Sequence, residues 1–129
     1  MIYNLVKYLT IELPAIDFVA NGWRPKSPQA SVMVTETGGD PKHWYDRTDW
    51  SVQIISRANN VVDSKTQIDA VYAKLKNKFS VTLPEVTVKL VVHPAVTAWQ
   101  IVPIQSPSYI GANEENLEMF SFNLTITTN

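Results

Sequence analysis

The amino-acid sequence predicts an α+β domain in which two helices pack on one face of a mostly antiparallel sheet of four to five strands. Two observations predict this fold. Several short segments alternate apolar and polar residues, as strands with one buried face do, and two longer segments repeat apolar residues at the spacing of a helix face. The 129 residues contain no repeat, low-complexity segment or interdomain linker, so we expect residues 1–129 to form a single domain.

The first predicted element is a short amphipathic helix over residues 2–13. Pro14 disfavours the helical conformation at the residue before it, so this helix should end at Leu13. Residues 15–20 are mostly apolar and form a candidate extended segment, which a turn at Asn21 and Gly22 ends. The apolar residues of the helix cover about a third of a helical wheel, and they are Ile2, Leu5, Val6, Leu9 and Leu13.

A strand and a long loop follow. Residues 31–35 alternate between apolar and polar, which predicts a strand. Gly38 to Thr48 is predicted as a loop of about ten residues, well beyond the two to five residues that are common in hairpins. Loops of this length are usually functional, and a loop that holds Trp44 and Tyr45 is not composed like a disordered linker.

Residues 49–79 change from a strand pattern to a helix pattern. The first part alternates as a half-buried strand, with Ile55 as the exception. Asn60 or Asp63 can cap the helix that follows. The apolar face of that helix is expected to contain Val61, Ile68, Val71, Tyr72, Leu75 and Phe79.

The remaining elements are predicted to be strands. Residues 86–92 alternate as a single strand, and residues 97–102 form another. The last strand, over residues 120–127, has one apolar face and one polar face without charge, which is typical of an antiparallel sheet covered on one side. Its polar face contains Ser121, Asn123, Thr125 and Thr127.

Charge and composition argue against several classes of function. Eleven basic and twelve acidic residues give a net charge of -1, without the cluster of Lys and Arg that sequence-specific DNA binding needs. The absence of cysteine excludes disulfides and thiolate metal ligands. No apolar run approaches the roughly 20 residues of a membrane span, and the N-terminus lacks the pattern of a signal peptide. We therefore expect no membrane partner and synthesis in the cytoplasm.

The sequence contains no motif for catalysis, cofactor binding or metal binding. The two histidines, His43 and His93, are not at a metal-ligand spacing. The adjacent carboxylates of Glu114 and Glu115 should point apart on a loop. We therefore predict no catalytic, cofactor-binding or metal-ligating residue, no cofactor, and a protein that is not an enzyme.

Aromatic side chains in predicted loops indicate a subunit interface. Trp, Tyr and Arg are the residue types enriched at the energetic centres of protein interfaces. The alternative is that these rings fold back and cover the ends of the core. The candidate interface residues are Trp23, His43, Trp44, Tyr45, Asp46, Arg47 and Tyr109.

The order of these features resembles the tail terminator or minor capsid (neck) proteins of long-tailed bacteriophages. Four parts carry the resemblance, and together they span most of the chain. They are the short N-terminal helix, the strand that ends in Val-Thr-Glu-Thr-Gly-Gly (34–39), the strand and helix from Trp-Ser-Val-Gln-Ile-Ile-Ser-Arg (50–57) to Leu75, and Pro-Ser-Tyr-Ile-Gly-Ala-Asn-Glu-Glu (107–115) leading into Phe-Ser-Phe-Asn-Leu (120–124).

The resemblance implies an assembly role in the virion tail or neck, with assembly in the host cytoplasm. Such a protein forms a homo-oligomeric ring, usually a hexamer, on the tail-tube protein, stops its polymerisation and is joined by a head-completion or connector protein. DNA passes through the ring without specific binding, and an uncharged strand face would suit the channel because Lys and Arg would hold the phosphates. The candidate lumen residues are Ser51, Gln53, Ser121, Asn123, Thr125 and Thr127.

Two other classes of function stay open from the sequence. One is another phage subunit of similar architecture, such as a head-completion or tail-tube protein. The other is a small intracellular ligand-binding or enzymatic domain. Rings, long tubes or a stable monomer with a filled pocket would distinguish the three.

Overall fold

A computed structural model describes residues 1–23, 30–41 and 47–128, and of residues 39–41 it describes the backbone. Two helices and nine strands lie in these ranges. In chain order they are α1 (Ile2–Glu12), β1 (Phe18–Ala20), β2 (Ser31–Pro41), β3 (Thr48–Ala58), α2 (Val61–Leu75), β4 (Lys78–Leu83), β5 (Val86–Val88), β6 (Val91–His93), β7 (Val96–Pro103), β8 (Ser108–Ala112) and β9 (Glu118–Thr128).

Within the described residues the main sheet has seven strands in the order β1-β2-β3-β9-β7-β4, with β8 also paired to β9. The pairing of β1 with β2 is parallel and the other pairs are antiparallel. Strand β3 pairs with β9 along its whole length, so β7 and β8 share the opposite edge of β9. The prediction of a mostly antiparallel sheet of four to five strands is therefore wrong: the sheet is mixed, and it has more strands.

The helices pack on one face of this sheet and close it into a curl. Helix α2 contacts β3, β9 and β7, whereas α1 contacts β1 and β2 near one end of the sheet and β4 at the other. The ring of Tyr72 on α2 meets the ring of Phe122 edge to face, with the centroids 5.3 Å apart. The fully buried residues between the layers include Leu5, Leu9, Val32, Val34, Ile54, Ile68, Val71, Leu75, Phe122, Leu124 and Ile126. The α+β class and the two helices are confirmed.

Local signals define the helix ends well. Helix α1 ends at Glu12, one residue before the predicted end, and the amide of Leu13 donates to the Leu9 carbonyl at 2.8 Å. Asn60 caps α2, since its side-chain oxygen accepts the Asp63 amide at 2.8 Å. This hydrogen bond decides between the two predicted caps.

The predicted apolar face of α2 is wrong at both ends. Val61 and Phe79 are 44% and 65% exposed, and Phe79 lies in β4 rather than in the helix. The helix ends at Leu75, and Asn77 then takes a left-handed conformation with φ 49°. This turn changes the direction of the chain, so a side chain at helical spacing no longer reaches the helical face.

Both ends of the predicted Gly38–Thr48 loop are strand rather than loop. Residues 38–41 continue β2 and pair with residues 48–51 of β3. A bulge between Glu36 and Gly38 changes the register, and Gly38 accommodates it with φ +134°. The glycines that predicted a loop therefore lie in a bulged strand, and residues 42–46 of the predicted loop lie outside the described residues.

The predicted single strand over residues 86–92 is instead a hairpin. Strands β5 and β6 pair with each other, with Val88 opposite Val91, and the chain reverses at Lys89 and Leu90. Both turn residues have positive φ, 50° and 67°. Neither Lys nor Leu favours such a turn, so the sequence contained no signal for it.

Two further strands have no counterpart in the sequence prediction. Strand β4 follows α2 directly and pairs with β7. Strand β8 contains Tyr109, which the sequence placed in a loop, and it pairs with the first part of β9. The predicted strand at 97–102 is confirmed as β7, and the strand at 120–127 is confirmed as β9.

Candidate subunit interface and polar sheet face

Trp23 stacks on Arg57, which lies near the C-terminal end of β3. The guanidinium carbon of Arg57 lies 3.9 Å from the centroid of the Trp23 ring. Arg57 Nε also donates to Ser31 Oγ at 3.1 Å, and the Arg57 residue is buried. The half-buried Trp23 thus covers the β2–β3 end of the sheet, although part of its surface stays open.

Arg47 makes the corresponding contact at the other end of β3. Its guanidinium carbon lies 5.3 Å from the centroid of the Trp99 ring. Trp99 sits at a bulge in β7 between Ala98 and Gln100, and it is partly exposed. Trp99 has no signal in the sequence, because the bulge that places its ring at the surface depends on the pairing of β7 with β9.

Tyr109 is the third described member of the predicted interface. Its ring packs against Phe120 with the centroids 5.4 Å apart, and its hydroxyl donates to the Glu118 carboxylate. This hydrogen bond raises the pKa of Tyr109 above its ordinary value. The residue is 53% exposed, so its aromatic face remains available to a partner.

The structure does not bring Trp23, Arg47 and Tyr109 together. Trp23 lies against Arg57 near the end of β3, whereas Arg47 precedes the start of that strand. A strand of this length separates the two sites by about 30 Å. Tyr109 lies on β8, opposite Phe120. The other predicted interface residues, His43, Trp44, Tyr45 and Asp46, lie outside the described residues.

The six predicted polar residues do share one sheet face, opposite the helices, which we call the helix-free face. Ser51 pairs directly with Thr125, and Gln53 pairs with Asn123. These residues alternate with Val52, which is buried against the helices. The remaining two members, Ser121 and Thr127, follow the same alternation along β9.

The helix-free face is polar at its centre and less open at its ends than the alternation predicts. Ser51 is exposed, but Ser121 and Thr127 are buried. Thr127 Oγ1 donates to Asp49 Oδ1 at 2.6 Å. The half-buried Ile55, opposite Ser121, adds an apolar position. The predicted polar residues are therefore open to solvent, fully or in part, only in the middle of the strands.

The described residues contain neither a cluster of potential metal ligands nor a helix that could span a membrane. No group of three or more His, Cys, Asp and Glu side chains lies close enough together among residues 1–23, 30–38 and 47–128 to hold a metal ion. The His93 ring packs against Tyr3 with the centroids 5.1 Å apart. In the same part of the chain, neither helix has the length and apolar character of a membrane span.

These surfaces define a class of protein: an α+β domain with a curled mixed sheet, helices on one face, and aromatic and arginine contacts at separate places on its surface. The family model for bacteriophage tail terminator proteins matches residues 13–129, which is all of the chain after α1. The chain belongs to this family of structural proteins and is a component of the phage tail. The resemblance found in the sequence is confirmed, while comparison with curated proteins finds no match.

Proposed function

We propose that this protein caps the tail tube as a homo-oligomeric ring, ends tail polymerisation and offers the surface to which head-completion proteins bind. The family match over residues 13–129 carries this proposal. The role is structural and involves no catalysis. Assembly takes place in the host cytoplasm, and the partners are further copies of the chain, the tail-tube protein and a head-completion or connector protein.

The separation of the aromatic clusters supports a ring. A closed ring with one kind of contact needs two different surfaces on each subunit, which meet head to tail. The contacts of Trp23 with Arg57 and of Arg47 with Trp99 lie at opposite ends of β3. We propose that these clusters, together with Tyr109 and residues 43–46, contribute to contacts between subunits of a hexamer.

The helix-free face is our candidate for the channel wall. Its central residues Ser51, Gln53, Asn123 and Thr125 carry no charge and are not fully buried. Such side chains hydrogen-bond to water and do not hold phosphates, whereas each Lys or Arg in the channel would add a salt-dependent contact to DNA. This arrangement would let DNA pass in either direction.

Electron microscopy of tails assembled with and without this protein tests the capping role. Co-expression with the tail-tube protein should give tubes of uniform length with a ring at one end. Omission of this protein should give longer tubes of variable length. If this protein alone forms long tubes, it is a tail-tube subunit, and if tube lengths are the same in its absence, the proposal is wrong.

A charge substitution tests the channel wall separately. Asn123→Lys with Thr125→Lys should slow DNA release from assembled particles, because the added ammonium groups would bind phosphate. Thr66→Lys on the exposed side of α2 is the matched control and should release DNA at the normal rate. A slow release in the control alone would place the helices, not the helix-free face, in the channel.

A further inference from the structure

The β5–β6 hairpin, residues 86–93, carries exposed apolar side chains at its tip. We call it the hairpin arm. Leu90 is 97% exposed, and its neighbours Val91 and Val92 are each more than half exposed. Three consecutive apolar residues in water at a hairpin tip are unusual for a surface that stays free.

The base of the arm is firmly attached to α1. The side-chain amide of Asn4, which is buried, donates to the carbonyls of Pro84, His93 and Pro94 at 3.0, 3.2 and 2.9 Å. Tyr3 adds its ring contact with His93. The arm therefore has a fixed root, and its tip is held in one direction.

The turn of the arm is unfavourable within a single subunit. Lys89 and Leu90 both have positive φ, a conformation that costs free energy for any residue with a side chain and that Asn-Gly adopts readily. The Leu90 side chain gains no burial in return. Strained backbone conformations cluster at active sites, ligand clamps and switch regions, so the strain at Leu90 points to a role outside the fold of its own subunit.

A surface of complementary character lies around the β8–β9 hairpin. Tyr109 and Ile110 are exposed residues of β8, and the Glu118 carboxylate accepts the hydrogen bond of the Tyr109 hydroxyl. Two further carboxylates, Glu114 and Glu115, are exposed in the turn between β8 and β9. We call these five residues the acidic patch. Lys65 approaches Phe120 nearby, but its charge is paired with Asp69 at 3.0 Å. The arm tip carries the opposite charge on Lys89.

The arm and the acidic patch cannot meet within one subunit. The arm follows Leu83, which pairs with Val96 beyond the C-terminal end of β9, whereas the patch surrounds the N-terminal end of β9. The length of β9 separates them by about 30 Å. Two complementary surfaces at opposite ends of a molecule are what a head-to-tail contact requires.

We propose that the hairpin arm of each subunit docks on the acidic patch of a second copy of this chain. Leu90 and Val91 pack against Tyr109 and Ile110, and Lys89 lies near the glutamates. This contact deepens the proposed ring and rests on it, because it adds one pair of complementary surfaces to the aromatic clusters at the ends of β3 through which neighbouring subunits would join.

Disulfide trapping tests the contact directly, since the chain has no cysteine of its own. A mixture of the Leu90→Cys and Ile110→Cys chains under mild oxidation should give a covalent heterodimer at least tenfold faster than a mixture of Leu90→Cys with Ile11→Cys. Ile11 is at least as exposed as Ile110, at 59% against 46%, but it lies on α1. Equal rates for the two mixtures would overturn the proposal.

A single chain with both Leu90→Cys and Ile110→Cys separates this contact from the ring itself. Oxidation should give a ladder of covalent oligomers that stops at the number of subunits in the ring. A ladder that stops at a dimer would support the arm contact and contradict the ring. A normal ring in electron micrographs without any trapped oligomer would support the ring and overturn the arm contact.

Charge exchange tests the part played by Lys89. Lys89→Glu in the Leu90→Cys chain should slow trapping at least fivefold, because it places a carboxylate against the acidic patch. Glu115→Lys in the Ile110→Cys chain should restore the rate to within twofold of the original pair. If Lys89→Glu leaves the rate unchanged, charge complementarity does not guide this contact and the choice of the acidic patch is wrong.

Discussion

The two faces of strands β3 and β9 differ in what they contribute. On the helix-covered face, Ile54 and Phe122 are paired and fully buried, and the helices exclude water from them. At the next paired position, Gln53 and Asn123 lie on the helix-free face and are not fully buried. The covered face therefore accounts for stability, whereas the helix-free face and the hairpin arm are available for assembly.

The largest expected effect on stability comes from removing the buried phenyl ring of Phe122 from the helix-covered face. Phe122→Ala should lower the free energy of unfolding by about 3–5 kcal/mol, because the cavity cannot collapse around a fully buried ring. The adjacent substitution Asn123→Ala should change it by less than about 0.5 kcal/mol. Urea denaturation measures both.

Equal losses of unfolding free energy for Phe122→Ala and Asn123→Ala would show that the two faces contribute equally to stability. If the alanine variant at 122 does not fold, Phe122→Leu leaves a smaller cavity and keeps the difference measurable. Its loss should fall between those of the two alanine variants.

A second comparison concerns two asparagines, Asn4 at the root of the hairpin arm and Asn123 on the helix-free face. Asn4→Ala should cost about 1–3 kcal/mol, because three carbonyls lose the amide that they share. Asn123→Ala removes the same amide from the helix-free face and is the matched control. The measurement is again the free energy of unfolding. If Asn4→Ala costs no more than the control, water replaces the amide at the root of the arm.

A substitution at the end of the helix-free face should have an intermediate effect on stability. Thr127→Val keeps the shape of the side chain and removes the hydroxyl that donates to Asp49, so it should cost about 1 kcal/mol. Thr125→Val, two residues earlier on the same face, is the control and should be nearly neutral. Thermal denaturation compares the two, and equal midpoints would show that the Asp49 contact adds nothing to stability.

The smallest effect on stability, and of the opposite sign, is expected in the hairpin arm. Leu90→Gly relieves the left-handed conformation and removes an exposed side chain, so the free energy of unfolding should stay the same or rise by up to about 1 kcal/mol. The same variant should form fewer rings on tail tubes in electron micrographs. A clear loss of stability would show that Leu90 serves the fold of its own subunit.

The site was less accessible to sequence reasoning than the fold. The polar residues of β3 and β9 were placed on one face correctly, because alternation within a strand is a local property. The stacking partners Arg57 and Trp99 were missed, since each depends on a contact with a residue far away in the chain. The hairpin arm was missed because Lys and Leu do not signal a tight turn.

The sequence predicted the α+β class, the helices α1 and α2 and the two faces of the last strand, because hydrophobic periodicity and capping act within one or two turns or a single strand. It also carried the resemblance that the family match confirms. Local signals did not predict the parallel pairing of β1, the bulge that keeps residues 38–41 in β2 or the reversal at Lys89 and Leu90. These features depend on which strand lies alongside, and backbone pairing between distant segments leaves no period in the sequence of either one.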